Sequence, residues 1–124
     1  MDVSITVCTT CRFGPGAPLD ANGRTGGEQL AEALEKATSD HASIRIVRHE
    51  CLWACRRSCA ILIGSKGRTG YLAGDFTPDA AAAEAIGRWA LAYEGTEDGA
   101  VPYGQWPEGI KGHFIARIPL AGGD

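Results

Sequence analysis

Five cysteines fall into two groups, and each group follows a short β-type run. Cys8 and Cys11 form C-x2-C at the end of Val3–Val7 (VSITV). Cys51, Cys55 and Cys59 form C-x3-C-x3-C two or three residues after Ser43–Arg48 (SIRIVR). Thiolates are soft donors, suited to zinc and to iron–sulfur clusters. Two cysteine-bearing loops at the ends of neighbouring strands can converge at one end of a sheet and offer four sulfurs to one site. That requirement constrains the fold more than any other feature of the chain.

The rest of the pattern supplies the scaffold. Val3, Ile5 and Val7 alternate with Ser4 and Thr6, the period of a half-buried strand. Residues 13–27 hold seven glycines and prolines and cannot be regular structure. Thr25-Gly-Gly-Glu28 has the form of a capping box. Leu30, Ala33, Leu34 and Ala37 follow at helical spacing, and Glu32 and Lys36 stand at i,i+4, so a helix is expected over 26–38. Ala60–Ile63 and Arg68–Ala73 flank Gly64-Ser-Lys-Gly67, which reads as a β-hairpin and lacks the spacing of a phosphate loop. Thr77-Pro78-Asp79 marks a second helix start, with Thr77 as cap and Pro78 in the first turn. Ile86, Trp89, Ala90 and Tyr93 give that helix its core stripe, and Gly95 ends it. The expected order is β-α-β-β-β-α, followed by a polar, Gly/Pro-rich stretch. In it only Phe114–Ile118 is apolar enough to pack, as an arm across the domain or a partner-binding extension.

A chain of 124 residues with 44% apolar and 22% charged residues is a folded domain, not a disordered segment. No run reaches the roughly 20 apolar residues of a membrane span. MDVSITVC lacks the form of a secretory signal, so a cytoplasmic location is expected. A reducing compartment and an odd number of cysteines argue against a disulfide scaffold. The net charge of −3 hides an asymmetry. Residues 41–70 carry Arg45, Arg48, Arg56, Arg57, Lys66 and Arg68 against Glu50 alone, and the remainder of the chain is strongly acidic. Acidity overall, and no aromatic residues interleaved with the basic stretch, argue against nucleic acid.

Four chemistries compete for the cysteines. They can be small buried hydrophobes. They can hold structural zinc, although zinc ribbons usually repeat the C-x2-C knuckle and the second group here has x3 spacing. Cys8 and Cys11 can exchange disulfides, but a Gly/Pro loop follows them where such enzymes start a helix, and no proline stands between Pro18 and Pro78. They can hold a [2Fe–2S] cluster. Local charge favours this last reading, since Arg12, Arg56 and Arg57 directly follow proposed ligands and would offset the negative charge of a four-thiolate cluster. Those arginines can equally be solvated, or form a docking patch for an acidic partner. His49, two residues before Cys51, is a further candidate ligand. Trp53 can shield a cluster from water. His113 has no visible partner. No Ser/His/Asp set, paired carboxylates or nucleotide fingerprint marks an enzyme active site.

The stretch Glu50-Cys51-Leu52-Trp53-Ala54-Cys55, followed by Ala60–Ile63 and a Gly-containing hairpin, resembles the second cysteine motif of thioredoxin-like [2Fe–2S] ferredoxins. Similar sequence occurs in the small iron–sulfur subunit of respiratory NADH dehydrogenase. The resemblance covers about residues 3–95 and extends to the element order. More closely, VCTTCR, CLWACRRSC, YLAGDFTPD and FIARIP resemble a family of small bacterial proteins known only as predicted metal-binding and often encoded beside cobalamin-synthesis genes. The chain departs from the ferredoxin pattern twice. Two residues separate Cys8 from Cys11 where the ferredoxins have four or more, and Cys59 stands where they have no ligand.

The resemblance implies an α/β, thioredoxin-like (ferredoxin-type) domain over 1–95 with an extended C-terminal arm over 96–124. It implies a one-electron carrier whose [2Fe–2S] cluster is held by Cys8, Cys11, Cys51 and Cys55, with Cys59 as a fifth metal-binding thiol. Its partner would be a redox protein, and the arm could join two copies into a homodimer. The alternatives are a metal-handling protein for zinc or cobalt, linked to cobalamin synthesis, and a structural zinc module whose tail binds a partner.

Overall fold

The computed structural model describes residues 3–8, 23, 25–49, 60–65, 68–77, 79–96 and 98–119. In chain order these build β1 (Val3–Cys8), α1 (Gly26–Ala37), β2 (Ile44–His49), β3 (Ile61–Gly64), β4 (Thr69–Ala73), α2 (Ala80–Glu94) and β5 (Phe114–Pro119). The strands form one sheet in the order β2-β1-β3-β4-β5. β1 and β2 are parallel, an arrangement that needs a crossover, and α1 supplies it. The other three pairings are antiparallel.

Alternation fixes which face is covered. Val3, Ile5, Val7, Ile61 and Ile63 are fully buried, while Ser4, Thr6 and Leu62 between them are partly exposed. The buried row lies under both helices, and Leu30, Leu34, Ile86 and Trp89 complete one core with it. Trp89 packs on Tyr71 of β4, ring centroids 5.1 Å apart.

Both helix starts are capped. Thr25 is extended (φ −74°, ψ 159°), and its hydroxyl accepts from the Glu28 N–H at 3.1 Å, as the capping-box reading requires. At α2 the cap is Asp79, not Thr77. Asp79 Oδ1 accepts from the Ala82 N–H at 2.9 Å, and the Thr77 hydroxyl donates to Asp79 Oδ2 at 2.9 Å. The carboxylate is the stronger acceptor for the helix's unpaired N–H groups, and the threonine holds it in place. Pro78 lies outside the described residues.

The stretch after Gly95, expected as an arm, is built into the same fold. Val101 and Ile110 are buried, and the Val101 N–H donates to the Tyr71 hydroxyl at 2.9 Å. Trp106 packs 5.3 Å from Trp89 and donates its indole N–H to Val101 O. Phe114–Pro119 then pairs antiparallel with β4 as an edge strand. The register shifts between Leu72 and Ala73, which face Ala116 and Phe114, so Ile115 is an extra residue. That bulge breaks the apolar alternation by which a strand is recognised in sequence. No helix among the described residues is long and apolar enough to cross a membrane.

Candidate metal centre

Cys8 is the last residue of β1, and only 1% of its surface is exposed. Its register partner on β2 is His49, the last residue of that strand. On the other side its N–H donates to Ala60 O at 3.2 Å, and Val7 stands opposite Ile61 at the start of β3. The ends of β1 and β2 and the beginning of β3 therefore abut at strand spacing, about 4.8 Å.

The chain leaves this end of the sheet from Cys8 and from His49, and re-enters it at Ala60. Cys11 belongs to the first connection, and Cys51, Cys55 and Cys59 to the second. These four cysteines, with Arg12, Trp53, Arg56 and Arg57, lie outside the described residues. Among the described residues no group of three or more His, Cys, Asp or Glu side chains is placed to hold a metal. His49 is exposed, on the same end of the sheet as Cys8.

The helices begin at this end. The Tyr93 hydroxyl, in the last turn of α2, donates to Thr69 O at the start of β4, so the first turn of α2 lies towards the end where β4 finishes. α1 runs beside it in the same direction. Gln29 shares a groove with Asp79 and Ala80, and Ala37 and His41 share one with Leu91. Both helix N-termini thus point to the cysteine end, each already met by a carboxylate of its own, Glu28 in the first turn of α1 and Asp79 as the α2 cap. The interhelix groove, 520 Å³, is lined by Glu32, Lys36, Asp79 and Glu84, with no cysteine among its described residues.

Two residues at or near this framework were illegible in the sequence. His113 has partners after all: its Nδ1 lies 2.8 Å from Gly74 O, and its ring stacks on Phe76 at 4.4 Å. Since Ala73 pairs with Phe114 and Ile61, this contact also closes the cysteine end, towards the β5 edge. Arg68, at the opposite end, is 5% exposed, and its guanidinium donates to Tyr93 O at 2.9 Å and Glu94 O at 3.2 Å. A basic residue beside a turn gives no sequence signal for such burial.

Residues 5–120 match the model of a family described as "Protein of unknown function (DUF1636)". No curated protein matches the chain. Among solved structures it is similar to a thioredoxin-like [2Fe–2S] ferredoxin from Aquifex aeolicus. The two are 17% identical with a TM-score of 0.59, over 94% of this chain and 92% of that one. The likeness is one of fold, and it agrees with the thioredoxin-like α/β architecture expected from the cysteine motifs.

Proposed function

We propose that this chain, which belongs to the DUF1636 family, is a one-electron carrier that holds a [2Fe–2S] cluster at the end of its sheet. One observation carries the reading. A buried cysteine at the end of β1 is bonded to Ala60 and paired with His49, the two residues that bracket the segment with three more cysteines. Successive Cα atoms are about 3.8 Å apart. Cys51 is two steps from His49, and Cys59 is one step from Ala60. Cys11 is three steps from Cys8. Those short separations limit how far these three thiols can lie from that sheet end, and Cys55 stands four residues from both Cys51 and Cys59.

The donors fit the group. They are soft thiolates, the ligand type that iron–sulfur clusters take. Cys8, Cys11, Cys51 and Cys55 would hold the cluster, and a bound cluster supplies one-electron oxidation and reduction. The protein's own work would be to hold one sulfur at the end of β1 and three on the two connections that leave the same sheet end, and to withdraw Cys8 from water. The resemblance to ferredoxins in sequence motif, and to one in fold, supports this. The chain then acts as a carrier for a redox partner rather than as an enzyme.

The fifth thiol favours a second reading. Cys59 directly precedes Ala60, the residue that accepts from the Cys8 N–H, so the sequence offers one thiol more than a four-ligand site needs. Exchange of zinc or cobalt between proteins needs such a ligand. Anaerobic reconstitution with iron and sulfide separates the two. The cluster reading expects visible charge-transfer bands that bleach on reduction, two irons per chain, loss of the bands in Cys51→Ser, and their retention in Cys59→Ser. A chain that stays colourless with iron and sulfide, holds no iron, and instead takes one zinc or cobalt overturns it.

A further inference from the structure

We infer that the face of the sheet on which no described helix packs is the docking surface for an acidic one-electron redox protein. This rests on the carrier reading and adds the partner's chemistry and its seat. Register places Val47, Thr6, Leu62, Leu72 and Ala116 in one row across all five strands. Each is partly exposed, whereas Ile5, Ile63 and Tyr71 on the opposite face are almost wholly buried under the helices. The row is a shallow apolar band. Cys8 falls on this same face by alternation, two residues beyond Thr6, or about 7 Å along the strand. A protein seated on the band approaches the proposed centre from its strand side.

Charge identifies the occupant. The five strands contain Arg45, Arg48, Arg117 and His49, and not one aspartate or glutamate. Arg48 turns to the helix side, where it pairs with Glu35 at 2.5 Å, and Arg117, opposite Tyr71 in register, belongs to that side as well. Arg45 alternates with Arg48, is exposed, and lies in the row next to the apolar band. The described carboxylates sit on the helices and loops: Glu28, Glu32, Glu35, Glu84 and Glu94 on α1 and α2, for example. The molecule is therefore polarised, with an acidic helix layer and a sheet face that is apolar, carries Arg45 as its one described arginine, and is free of described carboxylates. A net charge of −3 repels an acidic protein from most directions and leaves this approach open, which sets orientation as well as encounter rate. An apolar centre with a charged margin suits a small, transient interface. One electron passes between the two centres, and no bond is made or broken.

The full chain, labelled with nitrogen-15, is titrated with an acidic flavodoxin and, separately, with a basic cytochrome c. Flavodoxin is expected to shift the amides of Thr6, Val47, Leu62 and Leu72, and the affinity to fall steeply towards physiological ionic strength, about 0.15 M. Arg45→Glu should weaken flavodoxin about tenfold and Arg45→Lys should restore it. Oxidation of the reduced, cluster-loaded chain by flavodoxin should slow by the same factor in Arg45→Glu. Shifts confined to α1 and α2, an unchanged affinity in Arg45→Glu, or tighter binding of cytochrome c to this face overturns the proposal. So do concentration-dependent shifts of the same amides without any probe, which would mean that a second copy covers the band. The titration needs no cluster: a chain that rejects iron yet binds flavodoxin here defeats the carrier reading and leaves the surface standing.

Discussion

Replacing Arg68 by methionine sets two large terms against each other. The guanidinium is 5% exposed and has no carboxylate partner among the described residues; it holds the last two carbonyls of α2 and lies 5.6 Å from the Tyr93 ring. Tyr93 O also accepts from the Thr96 N–H and hydroxyl, so its loss is minor, about 0.5 kcal/mol. Glu94 O loses a charged donor, about 1.5–3 kcal/mol, and a cation leaves the helix C-terminus, about 0.3–1. In the other direction Arg68 Nε is buried without a partner, a cost of about 1–3 kcal/mol that methionine removes. The balance favours arginine by about 1.5 kcal/mol, and urea unfolding should show a midpoint lower by about 1 M with the slope unchanged. Tyr93 gives an independent readout. Burial raises its hydroxyl pKa, while Arg68 and a hydrogen bond from the Ser65 backbone pull it down. Arg68→Met should raise that pKa further in ultraviolet titration, whereas mere loosening of the helix end would admit water and lower it. A methionine variant as stable as the parent, or a Tyr93 pKa that falls, refutes the reasoning.

Gly99 has φ +88°, and a Cβ there would meet Thr69 O at 2.4 Å, while Gly112 has φ +90° with open space around it. Gly112→Ala should therefore cost only the left-handed penalty, about 1–2 kcal/mol, and Gly99→Ala clearly more, read as unfolding midpoints side by side. Thr25→Ala removes the α1 cap and should lower stability by about 1 kcal/mol in the same assay. Because the folded Tyr93 pKa is raised, its contribution to stability is complete below the unfolded value, about 10, and is lost as pH climbs through the higher folded value. Denaturation at a series of alkaline pH values should show that decline, and Tyr93→Phe should flatten it.

Most elements were legible because their periods are undisturbed. Val3–Val7 alternates cleanly, and Ile86, Trp89 and Tyr93 repeat at helical spacing because each fills the core beneath α2. Two adjacent oxygens compete for one cap at residues 77–79, and composition does not rank a hydroxyl against a carboxylate that it supports. β5 escaped recognition because the extra Ile115 puts FIARIP out of phase. Arg68 was illegible for a deeper reason: its partners are helix carbonyls 25 and 26 residues away, and any residue type presents a carbonyl.

That the two cysteine-bearing connections leave the same end of the sheet is legible one step beyond the motifs. A helix between two strands that become neighbours makes them parallel, so β1 and β2 finish at the same end. β3 pairs antiparallel with β1 and must begin where β1 finishes. Those two pairings bring residues 8, 49 and 60 together whatever path the connections take, and every cysteine lies on one of those connections or at its root. The same pairings put β4's finish and α2's start at that end, and leave Arg68 and the helix C-terminus at the other. The proposed thiolate chemistry would thus be separated from the cation that secures α2. Arg68 should be changeable without disturbing the cysteine end: the Met variant is expected to reconstitute with the parent's absorbance spectrum. A spectrum lost along with 1.5 kcal/mol of stability would show that the two ends are not independent.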